Sequence, residues 1–156
     1  MADTKGMTYV RMMLDVLSKK EVHLSKLLEL TEAQERLLKE EEFNEAEFAV
    51  IIEKKSGNLR KLEEFDDGFQ SIYNRVAEEI KTNKDEYKDQ ILEMQALITR
   101  VTDLGVKLSA LEEKNKAALE LKLQGRKQNI RQFKVSKQTA DKYYKNMIGM
   151  LPAAIS

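Results

Sequence analysis

A single proline, Pro152, stands in this chain of 156 residues, and it lies close to the end of the sequence. Proline inside a helix removes a backbone hydrogen bond and clashes with the preceding turn, so its absence elsewhere permits long helices. Apolar residues return every three or four positions along most of that stretch, which is the spacing of one helix face. The 42% apolar and 35% charged residues also match the composition of long amphipathic helices. We therefore predict an all-α fold.

Turn signals divide the chain into helices. Asn44 is a good N-cap residue and is followed three positions later by Glu47, which is the capping-box arrangement. Asp85 is a second N-cap candidate. Because short turns make consecutive helices antiparallel neighbours, we expect an antiparallel bundle of three long helices with a short C-terminal helix and coiled-coil-like packing. The prediction is a single helical domain over 1–156, with helices at about 7–41, 45–81, 86–135 and 137–147 and an apolar tail at 148–156.

Each long helix carries an apolar seam at heptad spacing. The first seam is Val10, Leu14, Leu17, Leu24, Leu28, Thr31 and Leu38, interrupted by Glu21 and Glu35. The second seam is Phe48, Ile52, Lys55, Leu59, Leu62, Asp66, Phe69, Tyr73, Val76 and Ile80. The third seam is Tyr87, Ile91, Met94, Ile98, Val101, Leu104, Leu108, Leu111, Ala118 and Leu119. Gly57 and Gly68 each cost the second helix about 1 kcal/mol relative to alanine, but its seam continues across both, so we predict one unbroken helix.

The predicted helices differ in length. At 1.5 Å per residue, the first two are each roughly 50 Å long and the third is about 75 Å long if it is unbroken. The third helix must then bend near a glycine or project past the other two, which would expose Leu121, Leu123, Ile130 and Phe133. Three kinds of cover are open for these side chains: the C-terminal segment, a second copy of the chain, or a client protein.

The 27 basic and 27 acidic residues balance, but their distribution along the chain is uneven. Eight glutamates lie between positions 29 and 47, and ten Lys or Arg residues lie between positions 114 and 145. In the predicted bundle these stretches are neighbours, so we expect their charges to complement each other within the fold. The alternatives are an acidic partner or nucleic acid. Nucleic acid is disfavoured because the basic stretch has few aromatic residues and no known binding motif.

The sequence contains no constellation of catalytic residues. There is no cysteine, His23 is the one histidine, and no phosphate-binding loop occurs, so we expect no enzyme activity, no cofactor and no metal. The runs Glu40-Glu41-Glu42 and Glu112-Glu113 are interpreted as a solvated helix end and a solvated helix face. No segment approaches the roughly 20 apolar residues of a membrane span, and no apolar signal-peptide core is visible. We therefore expect a cytoplasmic protein.

Two stretches carry a family resemblance. Residues 37–55, LLKEEEFNEAEFAVIIEKK, form a leucine-rich helix, a short acidic turn and a helix ending in a Glu-Lys pair, and Leu59 and Leu62 continue the leucine repeat. Residues 111–119, LEEKNKAAL, place an Asn and a basic residue ahead of leucine. In these features the chain resembles the flagellar export chaperones of the FlgN type, with the related FliT-type chaperones as a near alternative. Tyr143 and Tyr144 are similar to a terminal tyrosine-containing segment of that family.

The resemblance implies a small cytoplasmic helical chaperone for type III export, without catalytic residues. Such a protein holds the C-terminal helical region of flagellar hook-associated or filament-cap proteins and prevents premature assembly before secretion; the export apparatus is a further expected partner. An amphipathic client helix would lay its apolar face against an exposed stripe. We predict this client-binding stripe on the distal third helix and the final segment, at Leu119, Leu123, Ile130, Phe133, Tyr143, Tyr144 and Met147.

A second function is equally compatible with the heptad seams. A structural coiled-coil or scaffold protein that forms a homo-oligomer would carry the same pattern of apolar residues. The solution mass and the affinity for a client distinguish the two functions.

Overall fold

Four α-helices make up the part of the molecule that the computed structural model describes, residues 4–124. The helices are α1 (Thr4–Lys39), α2 (Glu45–Asp66), α3 (Phe69–Thr82) and α4 (Lys88–Leu123). They pack against one another, and this part of the chain contains no strand, so the all-α prediction is confirmed for these residues. The predicted helix at 137–147, the tail at 148–156 and the final part of the predicted third helix lie outside the described residues.

Contacting side chains show how the helices run relative to α1. Toward α2 and α3, the residue numbers fall along α1 while they rise along the partner. These pairs are Gln34–Lys55, Lys20–Asp66 and Tyr9–Arg75. Toward α4, the numbers rise together, in the pairs Glu21–Arg100 and Glu35–Lys114. Successive contacts therefore follow opposite chain directions in α1 and in the α2–α3 pair. They follow the same chain direction in α1 and α4.

Helix α1 has neighbours on two sides, and its buried stripe is wider than the predicted seam. A central row at heptad spacing is buried: Val10, Leu17, Leu24, Thr31 and Leu38. A second buried row, which the seam prediction missed, consists of Met13, Lys20, Leu27 and Gln34. Its two polar members bond to α2, whereas Glu21 and Glu35 on the other flank bond to α4. Each flanking row therefore serves a different neighbouring helix.

The predicted helix 45–81 is wrong in one respect, because it is divided at Asp67 and Gly68. Gly68 has φ 77°, a left-handed conformation that glycine adopts without a Cβ clash. The seam nevertheless keeps its phase, and Phe69 and Val76 are buried beyond the break. Lys20 of α1 holds both sides of the break: its ammonium lies 2.8 Å from Asp66 Oδ1 and 3.8 Å from the Phe69 ring centroid. The break is thus a local turn within one continuous packing surface.

Helix α1 approaches the turn between α3 and α4 closely at Gly6. A Cβ placed on Gly6 would lie 2.7 Å from the hydroxyl of the fully buried Tyr87, and it would also overlap Glu79. The Tyr87 hydroxyl in turn lies 3.1 Å from Glu79 Oε1. Helix α4 begins at Lys88, and Tyr87 rather than Asp85 occupies its N-cap position, so the predicted aspartate cap is wrong. The buried ring, and not a capping side chain, anchors this end of α4.

The buried apolar residues fall into three clusters along the bundle. One cluster lies around Tyr87 and Met13, and the next lies around Leu27 and Leu108. The third lies at the end of the described bundle where α1 and α4 finish and α2 begins, and we call this the distal end. The distal end contains both stretches that carry the family resemblance.

Candidate functional site at the distal end of the bundle

The distal end is built around four buried apolar side chains from three helices. They are Leu37 and Leu38 of α1, Phe48 of α2 and Leu119 of α4. Half-buried side chains pack around them: Phe43, Ile51, Ile52, Ala118 and Leu123. Together these nine residues form the distal cluster.

A capped turn sets the entry of α2 into the distal cluster. The Asn44 side-chain oxygen accepts a hydrogen bond from the Glu47 backbone N–H at 3.1 Å, which confirms the predicted N-cap. Phe43 and Phe48, on either side of this cap, meet edge to face with ring centroids 5.2 Å apart. This is an arrangement that aromatic pairs favour. The cap and the ring pair together fix the direction in which α2 leaves the turn.

The structure separates the residues of the predicted client-binding stripe. Leu119 is a core residue of the distal cluster, so its assignment to an exposed stripe is wrong: the close packing of α1 and α2 covers it. Leu123 is half-buried at the edge of the same cluster. The remaining members lie outside the described residues: Ile130, Phe133, Tyr143, Tyr144 and Met147. Leu123 is therefore the one member that the described part offers at a surface.

Exposed apolar side chains also occur near the distal cluster but face away from it. Leu121 is 71% exposed on α4, and Val50 is exposed on α2. Each lies two residues after a buried member of the cluster, which is about 200° around a helix. The sequence analysis did not single out Val50, because it is not a member of the second apolar seam.

Glutamates surround the distal end. Glu40, Glu41, Glu42, Glu47 and Glu53 are exposed, which agrees with the interpretation of the first three as a solvated helix end. Basic residues of α4 approach the same region, as the charge distribution predicted. Lys114 lies 2.9 Å from Glu35, and the Lys122 ammonium donates to the Glu40 carbonyl. The rest of the basic stretch lies outside the described residues.

The Lys114 contact shifts the titration of Glu35. The hydrogen bond from Lys114 holds the pKa of this carboxyl below its usual value, and the charges of Lys114, Lys39 and Arg36 act in the same direction. Partial burial opposes the shift. Glu35 therefore stays ionised at lower pH than an isolated glutamate would, and the α1–α4 contact at the distal end is charge-assisted.

A buried polar layer lies on the inner side of the distal cluster and joins α1, α2 and α4. The Lys55 ammonium bonds to Gln34 Oε1 at 2.7 Å and also bonds to Glu112. The Thr31 hydroxyl lies 3.0 Å from Glu112 Oε1 and 2.7 Å from the Leu27 carbonyl. Asn115 donates to the Thr31 carbonyl at 2.9 Å. We call these side chains, Gln34, Lys55, Glu112, Thr31 and Asn115, the buried polar layer.

Sequence reasoning missed this layer. The interpretation of Glu112 as part of a solvated face is wrong, because its side chain is only 4% exposed and it neutralises a lysine that is 9% exposed. Burial lowers the pKa of Lys55, and the Glu112 charge opposes that shift. The available signal was Lys55, a charged residue at a position of the predicted second seam. The charges of Lys55 and Glu112 pair with each other inside the layer. Its role is to hold α1, α2 and α4 in alignment.

The part of the chain that the structure describes contains no metal-binding cluster of side chains and no helix suited to span a membrane. Residues 4–124 contain no group of three or more acidic, histidine or cysteine side chains placed to hold a metal ion. His23 is half-buried, with Nδ1 3.0 Å from Asn58 Oδ1 and its ring against Phe65. Within these residues, no helix has the length and apolar character that crossing a bilayer requires.

Comparison with known proteins identifies no relative. No protein-family model, no curated protein and no solved structure matches this chain.

Proposed function

We propose that this chain is a cytoplasmic export chaperone of the flagellar type III system, close to the FlgN type. It would bind the C-terminal helical region of hook-associated or filament-cap proteins, prevent their premature assembly, and perform no catalysis. One observation carries the proposal. The two stretches that resemble the family, 37–55 and 111–119, are far apart in sequence but meet in one cluster, where Leu37, Leu38 and Phe48 pack with Leu119.

The order of the helix contacts supports the scaffold that such a chaperone would use. Opposite chain directions between α1 and the α2–α3 pair, together with rows of buried residues at heptad spacing, support an antiparallel bundle with coiled-coil-like packing. A rigid bundle of this kind can present one helix end to a client while its own core stays closed. The distal end is the part we assign to that task.

Binding would begin at Leu123, where the apolar surface of the distal cluster reaches solvent. An amphipathic client helix would lay its apolar face on Leu123 and on the predicted stripe residues that follow it in sequence. The exposed glutamates of the distal end would attract a client whose helix carries flanking basic residues. Burying the client's apolar face would keep it from pairing with other copies of the same client.

The test is binding of purified C-terminal fragments of hook-associated and filament-cap proteins, measured by isothermal titration calorimetry. Leu123→Asp and Phe133→Asp should each weaken binding at least about tenfold, because each places a charge in an apolar contact. The matched control is Val22→Asp, which places the same charge at a valine that is 63% exposed on α1. Leu123→Ala, with its helix content checked by circular dichroism, separates lost binding from lost folding. Binding that is undiminished by both aspartates would exclude this surface, and no binding to any fragment would exclude the function.

A structural scaffold that forms a homo-oligomer is the second candidate. It is favoured by a line of exposed apolar residues on α4 that is separate from the distal cluster. A stable oligomer with no affinity for any flagellar client would favour the scaffold over the chaperone.

A further inference from the structure

Helix α4 exposes a second face at heptad-like spacing, on the side away from the bundle. The positions on it are Leu92, Ala96, Thr99, Asp103, Val106, Ala110, Glu113, Ala117 and Leu121, and all of them are exposed. Three of the six exposed large apolar side chains in residues 6–124 lie on this one line: Leu92, Val106 and Leu121. We call it the outer face of α4.

The outer face is distinct from the surface that α4 buries. The buried row Met94, Val101, Leu108 and Asn115 begins two residues after Leu92, which places it about 200° away around the helix. Steps of three and four residues on a second face allow a helix to form a second, separate helix–helix contact. Every line along a helix has this spacing, so it is the exposed Leu92, Val106 and Leu121 that make this face a candidate for contact with a second helix.

The centre and the two ends of the outer face have the same residue types in both directions. Val106 lies at the midpoint, about 21 Å from Leu92 and about 22 Å from Leu121 along the helix. Toward each end the face finishes with an alanine and then a leucine, Ala96 with Leu92 and Ala117 with Leu121. A surface of this kind is complementary to itself when turned end for end, which is the requirement of a two-fold symmetric contact.

The charges on the outer face select the antiparallel orientation. In a parallel pair, Asp103 would face Asp103 and Glu113 would face Glu113, and such like-charge contacts oppose binding. In an antiparallel pair centred near Val106, each Asp103 lies beside Lys107 of the second copy. Opposite charges then meet once on each side of the symmetry axis.

The charge of the chain beyond α4 points to the same orientation. Residues 125–156 contain seven Lys or Arg residues and one Asp, a net side-chain charge of +6. A parallel pair would bring two such basic segments together. An antiparallel pair starts each segment beside the α3–α4 turn of the second copy, where residues 78–93 carry six acidic and three basic side chains. At both ends of the antiparallel contact, a basic segment then meets an acidic one and not a second basic one.

We propose that the outer face of α4 is a homodimer interface, in which two copies of the chain pair antiparallel about Val106. The interface does not depend on the export-chaperone function, since it leaves the distal cluster and Leu123 uncovered.

The first test is the solution mass of the full chain by analytical ultracentrifugation from about 1 to about 200 µM. The wild type should pass from monomer to dimer within this range. Val106→Glu brings two carboxylates together at the symmetry axis and should raise the dimer dissociation constant at least about tenfold. Val22→Glu is the matched control, because Val22 is also exposed and lies on α1, outside the outer face. A wild-type monomer throughout, or equal effects of the two glutamates, would overturn the proposal.

The second test measures orientation and uses the absence of cysteine from the sequence. Leu92→Cys and Leu121→Cys, each on its own, should form little disulfide-linked dimer, since like positions would be about 44 Å apart. A mixture of the two variants should cross-link efficiently. Val106→Cys serves as the positive control, since it should cross-link to itself, and circular dichroism checks that all three variants are folded. Cross-linking of Leu92→Cys with itself and not in the mixture would refute the antiparallel pair. A complex with another protein that Val106→Glu abolishes and Val22→Glu does not, without any dimer of the chain alone, would overturn the dimer and assign the outer face to a different partner.

Discussion

Lys55 and Glu112 form a buried ion pair whose loss should have a large effect on the free energy of unfolding. The two side chains are 9% and 4% exposed, so neither charge can regain water if its partner is removed. Replacing Lys55 with methionine keeps most of the side-chain volume but leaves Glu112 as an unpaired buried carboxylate. Breaking a buried pair in this way typically costs about 3–5 kcal/mol. For a chain of this size that corresponds to a fall in Tm of roughly 6–20 °C.

The assay is urea unfolding followed by far-UV circular dichroism, with the double variant Lys55→Met/Glu112→Met closing a cycle. Removing both charges leaves no unpaired buried charge, so the stability of the double variant should lie within about 1 kcal/mol of the wild type. The remaining difference arises from the Gln34 amide, which loses its hydrogen bond to Lys55. The control is Lys61→Met, at an exposed pair on α2, which should change the stability by less than about 0.5 kcal/mol.

The comparison of the single and double variants is the decisive result. The loss in Lys55→Met arises from the unpaired Glu112 carboxylate, so removing that carboxylate as well should restore most of it. A single variant within 1 kcal/mol of the wild type, or a double variant whose loss equals the sum of the two singles, would refute the account of the buried polar layer.

Four further substitutions have smaller effects on the free energy of unfolding, which the same measurement can resolve. Gly6→Ala places a Cβ in space filled by a buried tyrosine and should cost about 1–3 kcal/mol, whereas Gly57→Ala, with nothing within 4 Å of the new Cβ, should stabilise α2 by about 0.5–1 kcal/mol; equal effects would contradict the close approach at Gly6. Asn44→Ala removes the cap of α2 and should cost about 1 kcal/mol, and an unchanged stability would show that the cap is dispensable. The pKa of Glu35 is lowered in the folded state, so its contribution is present above the unfolded pKa and is lost as the pH falls through the folded pKa. Lys114→Met should accordingly differ from the wild type most at neutral pH and progressively less in acid, and a difference independent of pH would count against the Lys114 contact as its cause.

Periodicity predicted the second seam correctly even where it missed the helix boundary. Lys55, Leu59, Leu62, Phe69 and Val76 are all buried, on both sides of the break at Gly68. The break itself was not predictable from the seam, because the apolar phase continues across it. A left-handed glycine costs little there, and Lys20 of a different helix holds the two sides together. That contact between distant segments has no trace in the local sequence.

The buried charges show a similar limit. A run such as Glu112-Glu113 has the same composition whether it faces water or a lysine from another helix. What distinguishes the two residues is that Glu112 falls on the side of α4 that meets Lys55, while Glu113 falls on the outer face. Leu119 illustrates the converse, since a leucine expected at a surface is covered by α1 and α2.

By itself, the sequence determined that this protein is helical, because a chain with one late proline and apolar residues every three or four positions can bury its apolar surface economically only in helices. It also determined which face of each helix is apolar and where Asn44 starts α2. The tertiary structure alone decided which charges are buried, that α1 serves two neighbours through separate rows, and that α4 keeps a second face exposed. Those outcomes depend on which distant side chains meet, and the periodicity of a single helix carries no information about its neighbours.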